Sequence, residues 1–116
     1  DFTSYRALAC QAKSPVKKVH HLRLQRFGQF IVLDIRANAF LHHMVRNIAG
    51  VLMQIGCGER PVEWAAEVLA LANRSKGGLT APAYGLYLVD VTYPEHFQLP
   101  ERYMGPHFLS ALNELD

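Results

Sequence analysis

The sequence predicts an α+β domain in which helices pack on one face of a mostly antiparallel sheet. Three observations carry this. Residues 17–27 and 30–37 alternate apolar and polar side chains on either side of Gly28, as a hairpin does. Residues 40–56 and 61–72 repeat apolar side chains at helical spacing. The order helix, hairpin, helix, helix, strand lacks the regular βαβ alternation of a parallel sheet.

Asp1–Phe2–Thr3–Ser4–Tyr5 reads as the first turn of a short helix over 2–9, capped by Asp1 or Thr3. The sequence opens there without Met, the pattern expected of a piece of a longer protein. Ser14–Pro15 closes a loop. In the first strand Val19, Leu22, Leu24 and Phe27 stand among Lys17, Lys18, His20, His21, Arg23 and Arg26, which predicts one wetter, basic face. Gly28 supplies the positive φ a tight turn wants. In the second strand Ile31, Leu33, Ile35 and Ala37 face one way, and Val32, Asp34 and Arg36 the other. The long helix follows over 40–56, ended by Gly56 or Gly58. Pro61 suits the first position of the next helix, where its missing N–H costs nothing. That helix offers Val62, Trp64, Ala65, Val68, Leu69 and Ala72 as its apolar face, and residues 73–78 break it. A loop of small residues, 79–85, leads into a third strand over 86–93. Residues 94–116 hold turn residues and one short helical turn at 107–114.

Composition narrows the function classes. The chain has 116 residues, half of them hydrophobic and 19% charged, which suits one folded domain and excludes a disordered tail. The net charge of +2 permits an RNA partner without demanding one. Cys10 and Cys57 have no metal-type spacing and read as reduced thiols of a cytosolic protein. His42, His43 and Arg46 break the longest apolar stretch, so nothing in it spans a membrane. There is no phosphate-cradling glycine loop, no HExxH, no serine elbow and no CxxC.

The helix at 40–56 carries the sharpest signal. Leu41, Met44, Val45, Ile48, Val51, Leu52 and Ile55 form one broad apolar stripe, and Arg46 lies nearly opposite its middle. His42, His43 and Gly50 are its neighbours one turn away. One fixed cation, two imidazoles and a glycine that lets something come close look built to hold an anion, and a guanidinium grips a carboxylate or phosphate at two points. The helix position alone also fits a surface arginine paired with a nearby carboxylate, and the two histidines also fit surface or packing roles. Leu86, at the end of the small-residue loop, is either strand core or the lip of a cleft that a planar ring can approach. Lys13, Lys17, Lys18, Arg23 and Arg26 fit a solvated strand face as well as phosphate contacts.

Taken together, Asp1–Ala7, Asn38–Gly50 and Thr80–Leu88, with Met104–Gly105–Pro106 near the end, resemble the C-terminal half of the TruA family of tRNA pseudouridine synthases. The resemblance runs in order over nearly the whole chain. It implies the C-terminal half of the pseudouridine synthase fold, as a single domain over 1–116. It implies isomerisation of uridine to pseudouridine in the anticodon stem-loop of tRNA, around the thirty-eighth to fortieth nucleotides, with no cofactor and no metal. It also implies a cytoplasmic homodimer with tRNA lying across both subunits. In such enzymes an aspartate attacks the nucleoside, the N-glycosidic bond breaks, the uracil turns, and C5 is joined to the ribose. That aspartate belongs to an arginine–threonine–aspartate motif of the N-terminal half, which is not in this sequence. By the resemblance Arg46 matches the arginine that pairs with the aspartate, and Leu86 the apolar residue against the target base. His42, His43, Asn47, Lys17 and Lys18 are candidates for tRNA contact. Alone, the chain is expected to fold without isomerising uridine. A non-catalytic RNA-binding or dimerisation module of the same fold is the alternative.

Overall fold

The computed structural model describes residues 1–8, 12–89 and 91. Cys10 and everything expected beyond residue 91, including the helical turn at 107–114 and the Met104–Gly105–Pro106 block, lie outside the described residues.

Two antiparallel strands, β1 (Val19–Phe27) and β2 (Phe30–Ala37), form a hairpin. Phe27 pairs with Phe30 across a two-residue connection, and Gly28 takes φ +58°, where a side chain would be strained. Leu24 lies opposite Leu33 and Leu22 opposite Ile35, so these four share a face. A bulge between Val19 and His21 restores Val19 to the same face, opposite Ala37.

Two helices follow, α1 (Met44–Gly56) and α2 (Trp64–Leu71). The core is built from Tyr5, Leu41, Met44, Ile48, Val51, Trp64 and Val68, all under 10% exposed. Burial of a side chain the size of Met44 or Val68 stabilises the fold by about 1.5–3 kcal/mol. Val19, Leu33 and Ile35 bring the hairpin against this core, whereas Leu22 and Leu24, opposite Ile35 and Leu33, and Ile31 near the tip are exposed. The Tyr5 hydroxyl donates to the carbonyl of Ala65 at 2.9 Å, and burial pushes its pKa up. The α+β arrangement is the one the sequence predicts.

Four elements depart from expectation by more than two residues. The N-terminal helix is only a 3-10 turn over Thr3–Tyr5, with the Asp1 carboxylate accepting from the Thr3 N–H and hydroxyl. The long helix starts at Met44 rather than 40, because the His42 carbonyl takes the Ala7 N–H at 2.9 Å and His43 turns left-handed at φ +60°. The next helix starts at Trp64. Pro61 stands ahead of it, and its carbonyl accepts from the Trp64 N–H in a preceding turn. Residues 86–89 are irregular rather than the start of a third strand, and Leu86, Tyr87 and Leu88 are about half exposed or more. A run of apolar residues becomes a strand only where a sheet edge pairs with it, and the described sheet is the β1–β2 pair alone.

Candidate active site

The site forms where the first turn of α1 meets residues 78–81. Arg46 is partly buried and holds Ala81 at two points. Its Nε–H donates to the Ala81 carbonyl at 2.8 Å, and its own carbonyl accepts from the Ala81 N–H at 3.0 Å. Among the described residues Arg46 makes no ion pair, so the expected alternative of a paired surface arginine finds no carboxylate there. Among the described residues only Nε of this guanidinium is hydrogen-bonded, and an edge formed by Nη1 and Nη2 is one that can take an anion end-on.

The approach is close because of Gly50, one turn along α1. A Cβ at that position would lie 1.6 Å from the Leu79 carbonyl oxygen. What the sequence reads as room for something to come close is therefore filled by this chain's own backbone. From Ala81 the chain runs to a turn in which the Leu86 N–H donates to the Ala83 carbonyl at 3.1 Å. Gly85 sits at its third position with φ +79°, the value a type II turn asks of that residue. Leu86, 49% exposed, emerges directly from the turn.

His42 and His43 lie in the turn before α1, not on the helix face. Their rings stack with centroids 3.9 Å apart. The His43 pKa is lowered by partial burial first, then by His42 and by Arg46. Lys17 and Lys18 precede β1 at the open end of the hairpin. The Lys18 N–H donates to the Asn38 side chain, and its carbonyl accepts from the Asn38 N–H.

Asn47 is different. It is 2% exposed, and both its polar atoms are used within the fold. Nδ2 donates to the Tyr5 carbonyl at 2.8 Å, while Oδ1 accepts from Arg74 Nη2 at 3.2 Å and Thr80 Oγ1 at 2.5 Å. Arg74 was not singled out in the sequence. It sits in a polar, glycine-flanked break after α2, and nothing in that pattern distinguishes it from Lys76. The described residues contain no group of three His, Cys, Asp or Glu side chains placed to hold a metal, and Cys57 is an exposed free thiol.

The two segments joined by Arg46 and Ala81, 38–50 and 80–88, are the blocks that carry the family resemblance. Residues 1–94 match the family model described as tRNA pseudouridine synthase. The chain belongs to that family. It is 70% identical over 115 residues to the tRNA pseudouridine synthase A of Pseudomonas aeruginosa PAO1, covering 99% of this chain and 40% of that protein. The protein of the same name from Shewanella piezotolerans WP3 is 59% identical over 109 residues, covering 94% of this chain and 42% of its own length. That of Mannheimia succiniciproducens is 56% identical over 110 residues, covering 95% and 42%. The chain thus spans about two fifths of the relatives it matches. Among the described residues no helix is long and apolar enough to cross a membrane.

Proposed function

We propose that this chain forms one wall of the active site of a tRNA pseudouridine synthase, which isomerises uridine to pseudouridine in the anticodon stem-loop of tRNA. The observation that carries the reading is the reciprocal contact between Arg46 and Ala81, which ties the arginine of one family block to the loop bearing Leu86 in the other. Arg46 meets the carboxylate of a nucleophilic aspartate supplied from outside these 116 residues, which contain no arginine–threonine–aspartate triplet. Two charge-assisted hydrogen bonds from Nη1 and Nη2 keep that carboxylate ionised and aim it. Because Nε is held by Ala81, the guanidinium does not turn when the anion arrives, and its orientation is set before reaction.

A uridine inside a stem must leave the stack to react, and a flipped base needs an apolar face to rest on. Leu86, half exposed after its glycine turn, supplies that face. His42 and His43, in the turn before α1, and Lys17 and Lys18, at the open end of the hairpin, contact the tRNA, and Asn47 holds the segment that Arg46 meets through its bond to Thr80. The assembled enzyme works in the cytoplasm as a homodimer, without a cofactor.

Tritium release from tRNA carrying 5-tritiated uridine tests this. It is run on the chain alone and on the Pseudomonas aeruginosa relative carrying this chain in place of its matched residues. Release by the graft only is expected. Release by the chain alone would contradict a site completed from outside. No release by a graft that still binds tRNA would favour a non-catalytic RNA-binding or dimerisation module.

A further inference from the structure

We propose that Arg74 is a positioning residue for Arg46, acting through Asn47 and Thr80. The proposal rests on the functional reading above for its consequence in turnover, though not for its geometry. Arg74 divides its guanidinium between two jobs. Nη1 donates to the Gly78 carbonyl at 2.9 Å, and Nη2 to Asn47 Oδ1 at 3.2 Å and Thr80 Oγ1 at 3.1 Å. Every one of these acceptors lies on α1 beside Arg46 or on the segment 78–81 that receives it. Asn47 is the next residue after Arg46, and Thr80 immediately precedes Ala81.

The segment 78–81 has few other holds. The Leu79 N–H donates to Gln54 Oε1 at 3.0 Å, and Leu79 lies against Gly50. Arg74 and Asn47 fix Gly78 and Thr80 on either side of that point, and Ala81 follows with its carbonyl turned to Arg46 Nε. The carbonyl that orients the guanidinium is therefore set by a partly buried hydrogen-bonded junction around Asn47 rather than by a loop's own preference. A displaced Ala81 would leave Arg46 its charge but not its direction, and small misplacements of a reacting or aligning group are costly in rate.

The same junction also explains why Asn47 is buried. A buried amide costs free energy unless its polar atoms find partners, and here both do, on three separate stretches of chain: the N-terminal turn, the residues after α2 and the 78–81 segment. A lysine at position 74 could reach one or two of these acceptors but not span them in a fixed fork.

The direct readout is the Arg46 Nε–H resonance of the chain in ¹⁵N-labelled form, assigned by its disappearance in Arg46→Lys. In the unaltered chain it exchanges slowly with solvent because it is bonded to Ala81. Arg74→Ala and Thr80→Ala are expected to speed that exchange about tenfold or more, with Arg74→Lys intermediate. Tyr5→Phe, which removes only the hydroxyl bond to Ala65, is expected to weaken the fold yet leave the Arg46 signal in place. In the grafted full-length relative, Arg74→Ala is expected to lower kcat by about 10–100-fold, with KM changed less than about threefold. An Arg46 signal unmoved in folded Arg74→Lys and Thr80→Ala would overturn the proposal. So would equal loss of the signal in Tyr5→Phe, which would make Arg74 one structural contact among several. If the unaltered graft is inactive while the exchange results hold, the functional reading falls and the positioning geometry stands.

Discussion

At the residue scale, Arg46 has its Nε bound to the Ala81 carbonyl, and on the proposed function its Nη edge meets the anion. An arginine that serves only as a phosphate clamp would lose tRNA affinity and turnover together on removal. One that orients a reacting carboxylate loses turnover alone. Arg46→Ala in the grafted relative is therefore expected to lower kcat by about 10²–10³-fold, the usual cost of removing one preorganised donor, with the tRNA Kd nearly unchanged. Steady-state kinetics beside filter binding separates the two cases. His43 makes a second prediction. Partial burial and the charges of His42 and Arg46 lower its pKa below the ordinary 6.5, so the unfolded chain binds this proton more readily than the folded one. The stability tied to neutral His43 is thus fully present above pH 6.5. It is lost as pH falls through 6.5 toward the lower folded value. Asn tolerates the left-handed backbone at this position but does not titrate, so thermal melting of His43→Asn should show a shallower loss below pH 6.5 than the unaltered chain. Parallel melting curves would show that His43 carries none of the acid sensitivity.

At the element scale, the decisive contact is the crossing of α1 by residues 79–81 at Gly50. Ordinary contact for a Cβ begins near 3.4 Å, and here it would meet a backbone oxygen at 1.6 Å and a backbone carbon at 2.7 Å, neither of which can rotate away. Gly50→Ala must push the segment off the helix and is expected to cost about 3 kcal/mol or more. Met53→Ala, on the exposed side of the same helix, is expected to stay within about 0.5 kcal/mol. Urea midpoints at constant slope measure both. The same crossing marks how far the sequence could be read. The β2 limits, the Gly28 turn and the apolar stripe of α1 follow from local chemistry, and all are where the pattern puts them. The start of α1 is not local: it is set by Ala7 capturing the His42 carbonyl, a bond between residues 35 positions apart in sequence. The partner of Gly50 and the role of Arg74 are likewise tertiary facts. A glycine on a helix face announces a close approach without saying by what, and a loop arginine announces nothing.

At the scale of the whole molecule, the chain spans about two fifths of its relatives' length, and on the proposed function it receives both a carboxylate and an RNA from elsewhere. The net charge of +2 is too small to hold a polyanion by its general field, so any affinity must come from local placement of cations. The structure puts one such group at the open end of the hairpin. There Lys17 and Lys18 precede β1, and the Lys18–Asn38 backbone pair joins them to the stretch that continues through Phe40 to His43. On the proposed function, cations there would meet the backbone of the bound stem, and such contacts carry no information about sequence. If each lysine neutralises one phosphate, the Lys17→Ala/Lys18→Ala pair should flatten the dependence of log K on log salt by about 1.4–1.8, the range between single-stranded and duplex contacts. The loss should be similar for any tRNA, because only the charge term is removed. Binding of the grafted relative across a salt series tests this. Affinity lost with the slope unchanged would mean that the lysines support the base of the hairpin rather than meet phosphate. An unchanged affinity and slope would move the RNA path to the other face of the hairpin, where Arg23 and Arg36 stand exposed beside the His21–Asp34 pair.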